Sequence, residues 1–152
     1  EFEWAENFIQ EYSECLPSGI RENARTFNLA NLYSHQRKYD KVIELLRNVE
    51  YSDVVYSLGS KLILLRTYYE LGEYLALDSL IDSFRIFLRR NKVMSKSLKR
   101  EYNSFLNFVK KLTTLDTSNP AAIAAFQQRV MAVSSTTPKK WLLDKIEELQ
   151  KK

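Results

Sequence analysis

The sequence predicts an all-α protein of about eight short helices. Apolar residues recur three and four positions apart along almost all of the 152 residues, and the strict alternation typical of strands is nearly absent. Only three Gly and three Pro are present, whereas a β-sandwich or barrel needs many turn residues. The composition, 45% hydrophobic and 28% charged, is that of an ordinary globular chain and excludes a disordered one.

The first four helices are predicted over about residues 2–16, 18–36, 39–50 and 54–71. Each carries apolar side chains at helical spacing. The first stops at Pro17, because proline cannot continue a helix. Ser52 or Asp53 is a typical N-cap for the fourth helix. Gly72 fits the left-handed residue that ends it.

The last four helices are predicted over about residues 74–90, 96–112, 120–133 and 138–151. A polar connector at residues 91–95 separates the fifth helix from the sixth. Asn119–Pro120 and Thr137–Pro138 each place a capping side chain before a proline, which is favoured at the first helical position. Short helices with short connections indicate antiparallel hairpins, either bundled or stacked as a solenoid.

An internal repeat of 35 residues distinguishes these two arrangements. The matched pairs are Leu29 with Leu64, Ala30 with Leu65, Tyr33 with Tyr68, Tyr39 with Tyr74 and Val42 with Leu77. This order of an apolar residue, a small residue, an aromatic, a turn with a second aromatic and a small apolar residue resembles the tetratricopeptide repeat (TPR) motif. Leu65 departs from the motif, which has a small residue there. The chain also resembles the C-terminal part of uncharacterised bacterial helical-repeat proteins.

The TPR resemblance implies a right-handed α-solenoid of antiparallel helix pairs. A single domain over residues 1–152 would then contain repeats at about 18–51, 53–91 and 95–134, followed by a capping helix at 138–151. It also implies a non-catalytic protein–protein interaction scaffold, in which the first helices of the pairs line a concave face that binds a peptide or another partner.

Concave-face positions follow from the same resemblance. In the three repeats they are Phe27, Asn31, Ser34 and His35; Leu62, Arg66, Tyr69 and Glu70; and Asn103, Asn107, Lys110 and Lys111. Asn31, Arg66, Asn107 and Lys110 could grip a carboxylate or backbone amides. Phe27 stands where the family's carboxylate-binding pattern has lysine. The alternative is that this face is merely hydrated, or covered by a neighbouring subunit.

The residue inventory does not indicate an enzyme. His35 is the only histidine, which excludes a zinc site made of several histidines, and its place near a predicted helix end favours a solvated residue. Cys15 is the only cysteine, and its apolar neighbours predict a small core residue rather than a nucleophile. Phosphate-binding glycine loops, nucleophile elbows and calcium loops are missing. We therefore predict no catalytic residue, no metal and no cofactor.

Charge is distributed unevenly along the chain. Residues 1–84 have a net charge of −6 and residues 85–111 a net charge of +8. The cations of the basic patch are Arg85, Arg89, Arg90, Lys92, Lys96, Lys99 and Arg100, followed by Lys110 and Lys111. This stretch is either a solvated face or a docking surface for an acidic peptide, a phosphate backbone or anionic lipid. A nucleic-acid-binding helical repeat is therefore the alternative function.

A third interpretation is self-assembly, in which Phe2, Trp4 and Phe8 pack onto further helices. The chain begins at Glu1 and not at Met, which indicates a processed product or an excised piece. The sequence contains no apolar run of the roughly 20 residues that span a bilayer. The single cysteine favours a reducing compartment, and we expect a cytoplasmic location.

Overall fold

The structure, a computed structural model, describes residues 2–134 and 138–152. These residues form eight α-helices and no strand, which confirms the all-α prediction. The helices are α1 Phe2–Ser13, α2 Ser18–His35, α3 Tyr39–Leu46, α4 Val54–Leu71, α5 Tyr74–Arg90, α6 Lys96–Thr113, α7 Pro120–Met131 and α8 Lys139–Gln150.

Capping side chains begin three of these helices. Asp53 accepts hydrogen bonds from the amides of Val55 and Tyr56 at the start of α4. Asn119 does the same for two amides of α7, with Pro120 at the first helical position as predicted. Ser95 accepts one from the third residue of α6. Gly72 ends α4 with φ +70°, the left-handed conformation that its sequence position predicts.

Two predicted helix ends are wrong. α1 ends at Ser13 and not near Leu16, because the next amides bond three residues back and Pro17 disfavours helical geometry in the residue before it. α3 ends at Leu46, four residues before the expected Glu50. In α8 the first helical residue is Lys139, with Pro138 at the cap position; the predicted cap Thr137 lies outside the described residues.

The chain divides into two compact units within α5, the first ending at Leu80 and the second beginning at Ile81. In the first unit, α1 packs on α2, and α2, α3 and α4 contact one another. Its core cluster consists of Leu29, Ala30, Tyr33, Val42, Leu46, Ile63 and Leu64. Ala30 is completely buried, as expected for the small residue that lets two helices approach closely.

The second unit is built on contacts of α8 with both α6 and α7. Aromatic pairs join the helices: the rings of Phe105 and Trp141 have centroids 6.3 Å apart, and those of Phe108 and Phe126 5.9 Å apart. Fully or nearly fully buried side chains from four helices fill this unit, among them Phe84, Leu88, Phe105, Leu106, Val109, Ile123, Phe126, Val130, Leu142 and Ile146. The single domain predicted over the whole chain stays a prediction.

Candidate functional site

α4 is the most enclosed helix of the first unit. Its buried residues are Ser57, Leu58, Ser60, Ile63, Leu64, Leu65 and Thr67. At about 100° per residue they cover roughly three fifths of the helix circumference and leave one side open. The most open stripe carries the half-buried residues Leu62, Arg66 and Tyr69, with the exposed residues Val55 and Glu70 beside them. The second set of predicted concave residues thus occupies the accessible side of this helix.

The first set lies on α2, which packs against α4. Asn31 and His35 are exposed, and Ser34 is half-buried. One ring nitrogen of His35, Nδ1, lies 2.8 Å from the carbonyl oxygen of Asn31. His35 is the last residue of α2, so its predicted place at a solvated helix end is confirmed.

Phe27 on α2 lies at the contact between α2 and α4. Its ring packs edge-to-face on Tyr56, with centroids 5.4 Å apart. It also lies over Gly59, one turn before Leu62: a Cβ built on Gly59 would be 2.5 Å from Cε2 of Phe27. Phe27 is half-buried and packs against the core cluster of the first unit. We call the residues Phe27, Asn31, Ser34, His35, Leu62, Arg66, Tyr69 and Glu70 the α2–α4 surface.

Arg66 supplies the positive charge in the middle of the α2–α4 surface. Burial lowers the pKa of its guanidinium below the usual range of an arginine side chain. Because arginine stays protonated near neutral pH, the side chain remains a cation that water only partly solvates. Such a cation forms stronger hydrogen bonds to a carboxylate than a fully hydrated one. The α2–α4 surface thus combines a cation, an exposed amide and half-buried apolar groups.

The third predicted set lies on α6 in the second unit. Asn103 is half-buried and donates a hydrogen bond to the carbonyl of Lys99 at 2.9 Å. Asn107 is exposed and accepts a hydrogen bond of 2.8 Å from Arg85. Lys110 is exposed, as is Lys111 next to it. Both asparagine side chains already have local partners, which the sequence alone did not indicate.

Two members of the basic patch also have local partners. Arg85, besides its bond to Asn107, lies 3.7 Å from a carboxylate oxygen of Asp82. The ammonium group of Lys99 donates to the carbonyl of Asn91. The remaining cations of the patch are exposed: Arg89, Arg90, Lys92, Lys96 and Arg100.

Residues 89–96, which we call the basic connector, include the end of α5, the loop after it and the first residue of α6. The side-chain oxygen of Asn91 accepts hydrogen bonds from the amides of Val93 and Met94, at 2.9 and 2.8 Å. Met94 is buried and anchors the segment, whereas Val93 is 84% exposed. The connector therefore presents an apolar side chain between cations.

An exposed aromatic ladder lies on α1, and two of its three members, Trp4 and Phe8, belong to the surface that the sequence suggested for self-assembly. Trp4, Phe8 and Tyr12 are 69%, 47% and 59% exposed. Their rings stack in turn, with centroid separations of 5.2 and 5.3 Å. The spacing of four residues places them on one side of the helix, and the half-buried Ile9 on another. We call Trp4, Phe8 and Tyr12 the aromatic stripe.

Cys15 is a correction. Its apolar neighbours in the sequence predicted a small core residue, but the thiol is exposed and free. The cause is the early end of α1: the helix stops at Ser13, so Cys15 lies in a turn and does not continue the buried side of the helix. Within residues 2–134 and 138–152, no three His, Cys, Asp or Glu side chains gather closely enough to hold a metal ion.

The geometry describes an all-α protein with an open polar and apolar surface on two adjacent helices. No helix in the described part of the chain is long and apolar enough to cross a membrane. Comparisons with protein-family models, curated proteins and solved structures gave no match for this chain.

Proposed function

We propose that the chain is a TPR-like, non-catalytic interaction scaffold whose α2–α4 surface binds a peptide segment of a partner protein. The helix contacts support stacked hairpins. In the first unit, α2, α3 and α4 contact one another. In the second, α8 contacts α6 and α7, and Phe108 on α6 pairs with Phe126 on α7. Three consecutive helices in mutual contact form the local pattern that a solenoid repeats.

The observation that carries the binding proposal is the open stripe of α4. A helix enclosed on its other sides provides a rigid support, and rigid side chains lose little entropy when a ligand binds. Leu62 and Tyr69 offer partly desolvated apolar contact, while Arg66 between them offers a directional cation. The partner best matched is an extended peptide with a carboxylate and at least one apolar side chain.

Asn31 can bind the backbone of a peptide on the α2–α4 surface. Its side-chain amide is exposed, and an amide can donate to a peptide carbonyl while accepting from a peptide N–H. Such contacts read the backbone of an extended segment without specifying its sequence, whereas apolar contacts at Leu62 and charge pairing at Arg66 would provide selectivity.

The test is peptide selection with the intact chain, followed by titration calorimetry of the best binder. Arg66→Gln is expected to weaken binding by about tenfold or more, because losing a charged hydrogen bond costs roughly 1.5–3 kcal/mol. Asn31→Ala should cost about 0.5–1.5 kcal/mol. Arg47→Gln and Asn48→Ala are matched controls, since both residues are exposed and lie beyond the end of α3.

If Arg66→Gln and Arg47→Gln weakened peptide binding equally, the loss would reflect the lower net charge of the protein. That result would contradict the proposed surface. Failure to select any peptide would count against the scaffold function itself. Thermal unfolding of each variant, followed by circular dichroism, separates lost binding from lost structure.

The alternative function, nucleic-acid binding, is favoured by one observation at the basic connector. Lys96 is the first residue of α6, where the helix dipole opposes positive charge and acidic residues are missing from the first turn. A cation kept at an unfavourable position indicates an anionic partner. This function predicts binding to single- or double-stranded nucleic acid that weakens steeply with salt. Binding that is absent at low salt would eliminate it.

A further inference from the structure

The aromatic stripe and the basic connector have complementary chemistry. The stripe presents three adjoining rings, and its helix carries Glu3, Glu6 and Glu11 but no basic residue. The connector presents Val93 at 84% exposure among the exposed cations Arg89, Arg90, Lys92 and Lys96. One surface is apolar and acidic, and the other is apolar and basic.

We propose that the aromatic stripe of one molecule binds the basic connector of a second copy of this chain. Arginine and lysine side chains are attracted to the faces of aromatic rings, and the glutamates of α1 add a favourable field around those rings. Val93 supplies the apolar contact in the centre. This interface is distinct from the α2–α4 surface and does not depend on the peptide-binding function.

A symmetric pairing of two α1 helices is less favourable. It would bring Glu3 and Glu11 of one α1 helix near the same two glutamates of the other, and α1 has no basic residue to offset them. Like charges that face each other across an interface disfavour that partner. Charge therefore selects the basic surface of the second copy over its α1 helix.

Both surfaces are pre-formed in the single chain. Asn91 holds the amides of Val93 and Met94, and Lys99 donates to the Asn91 carbonyl, so the connector has little conformational freedom to lose. On α1 the rings already stack on one another. The Glu6 carboxylate accepts a 2.7 Å hydrogen bond from Tyr33 and fixes α1 on α2. Pre-organisation reduces the entropy that association costs.

An interface between two different surfaces of the same chain generates head-to-tail oligomers, which are open chains or closed rings. The average mass of the intact protein should rise steadily with concentration in sedimentation equilibrium. Raising the salt from about 0.1 M to about 1 M shortens the Debye length from about 10 Å to about 3 Å and should weaken the association.

Two variants test the pairing. The first is Trp4→Ala/Phe8→Ala/Tyr12→Ala, which places the best helix former at three exposed helical positions. The second is Lys92→Glu/Val93→Ser/Lys96→Glu, which improves the charge at the start of α6. Neither should unfold the protein, and each alone should associate at least about tenfold more weakly than the unaltered chain. Glu3→Lys/Glu11→Lys keeps the three rings but reverses the charge beside them, and it should also weaken association.

The decisive experiment mixes the first two variants. Both are first treated with nuclease, so that nucleic acid bound to the basic connector cannot link the molecules. Each retains the surface that the other lacks, so the mixture should form a one-to-one complex that grows no further. Self-association of the connector variant alone would indicate α1–α1 pairing and overturn the proposal. A monomeric unaltered chain at all concentrations, or a mixture that forms no complex, would overturn it as well.

Discussion

Gly59 is a residue whose small size the packing requires. It lies inside α4, where glycine is less favourable than alanine by roughly 1 kcal/mol. The ring of Phe27 occupies the space that a Cβ would take, with Cε2 only 2.5 Å away. The close approach of α2 and α4 therefore depends on the missing side chain.

We expect Gly59→Ala to destabilise the fold by about 1–2 kcal/mol in urea unfolding, because overpacking outweighs the gain in helix propensity. Gly19→Ala is the matched control: no atom lies within 4 Å of its added Cβ, so it should be neutral or slightly stabilising. Phe27→Leu in the Gly59→Ala background should recover part of the loss. Equal stability of the two alanine variants would contradict the close contact.

Tyr33 shows how one hydroxyl can fix a helix. It is 8% exposed and donates a hydrogen bond of 2.7 Å to the Glu6 carboxylate. This bond, followed by burial and by the charge of Glu6, raises the pKa of Tyr33 from 10.0 to about 12. Its ring also lies 4.8 Å from the ammonium nitrogen of Lys41, measured to the ring centroid.

Tyr33→Phe should cost about 1.5–3 kcal/mol at neutral pH, since the lost bond has a charged acceptor. In the native protein the proton is held up to about pH 12, whereas the unfolded chain loses it near pH 10.0. The stabilisation is therefore complete below pH 10.0 and is lost as the pH rises towards 12. Urea unfolding should show this fall in the unaltered chain and a smaller fall in Tyr33→Phe. If the free energy of unfolding fell equally with pH in both proteins, the hydrogen bond between Tyr33 and Glu6 would be contradicted.

At the scale of the element, the start of α4 depends on one carboxylate. Asp53 Oδ1 accepts bonds from the amides of Val55, at 2.8 Å, and Tyr56, at 3.1 Å. Asp53→Ala should destabilise the protein by about 1 kcal/mol, and Asp53→Asn should restore most of that loss, because asparagine also caps well. Thermal unfolding of both variants measures the difference. A loss with asparagine as large as with alanine would show that charge, not capping, matters here.

Helix ends with strong local chemistry were predictable from sequence. Asp53, Gly72 and Asn119 each act through their own backbone neighbours, so the chemistry is readable from a few residues. The ends of α1 and α3 were not, because consecutive apolar side chains continue the periodic pattern past the point where the backbone leaves the helix. Cys15 was misassigned for that reason.

The open surfaces were only partly predictable. The TPR resemblance suggested Leu62, Arg66 and Tyr69 for an accessible side of α4, and all three are half-buried there, while their role in binding stays a prediction. The sequence suggested Trp4 and Phe8 as a surface for self-assembly but did not add Tyr12 to it, because all three have the spacing of a buried face and composition cannot tell which of two apolar sides has a neighbour. The available signal was their four-residue spacing, which places the three aromatic residues on one side of α1 and Ile9 on another.

At the scale of the whole molecule, the chain is electrically polar: residues 1–84 carry −6 and residues 85–111 carry +8. Such a distribution orients encounters and makes association sensitive to salt. Peptide binding at the α2–α4 surface should depend less on salt than self-association, because its cation Arg66 is partly buried and buried charges are screened less.

The most direct test of the scaffold function uses the only histidine of the chain. His35 lies exposed on the α2–α4 surface, so its imidazole proton signals form a single nuclear magnetic resonance probe at that place. On addition of a selected peptide, we expect these signals to shift in the unaltered protein and in Arg47→Gln, at peptide concentrations where Arg66→Gln shows little change. A peptide that binds while the His35 signals stay unchanged would contradict the assignment of the α2–α4 surface.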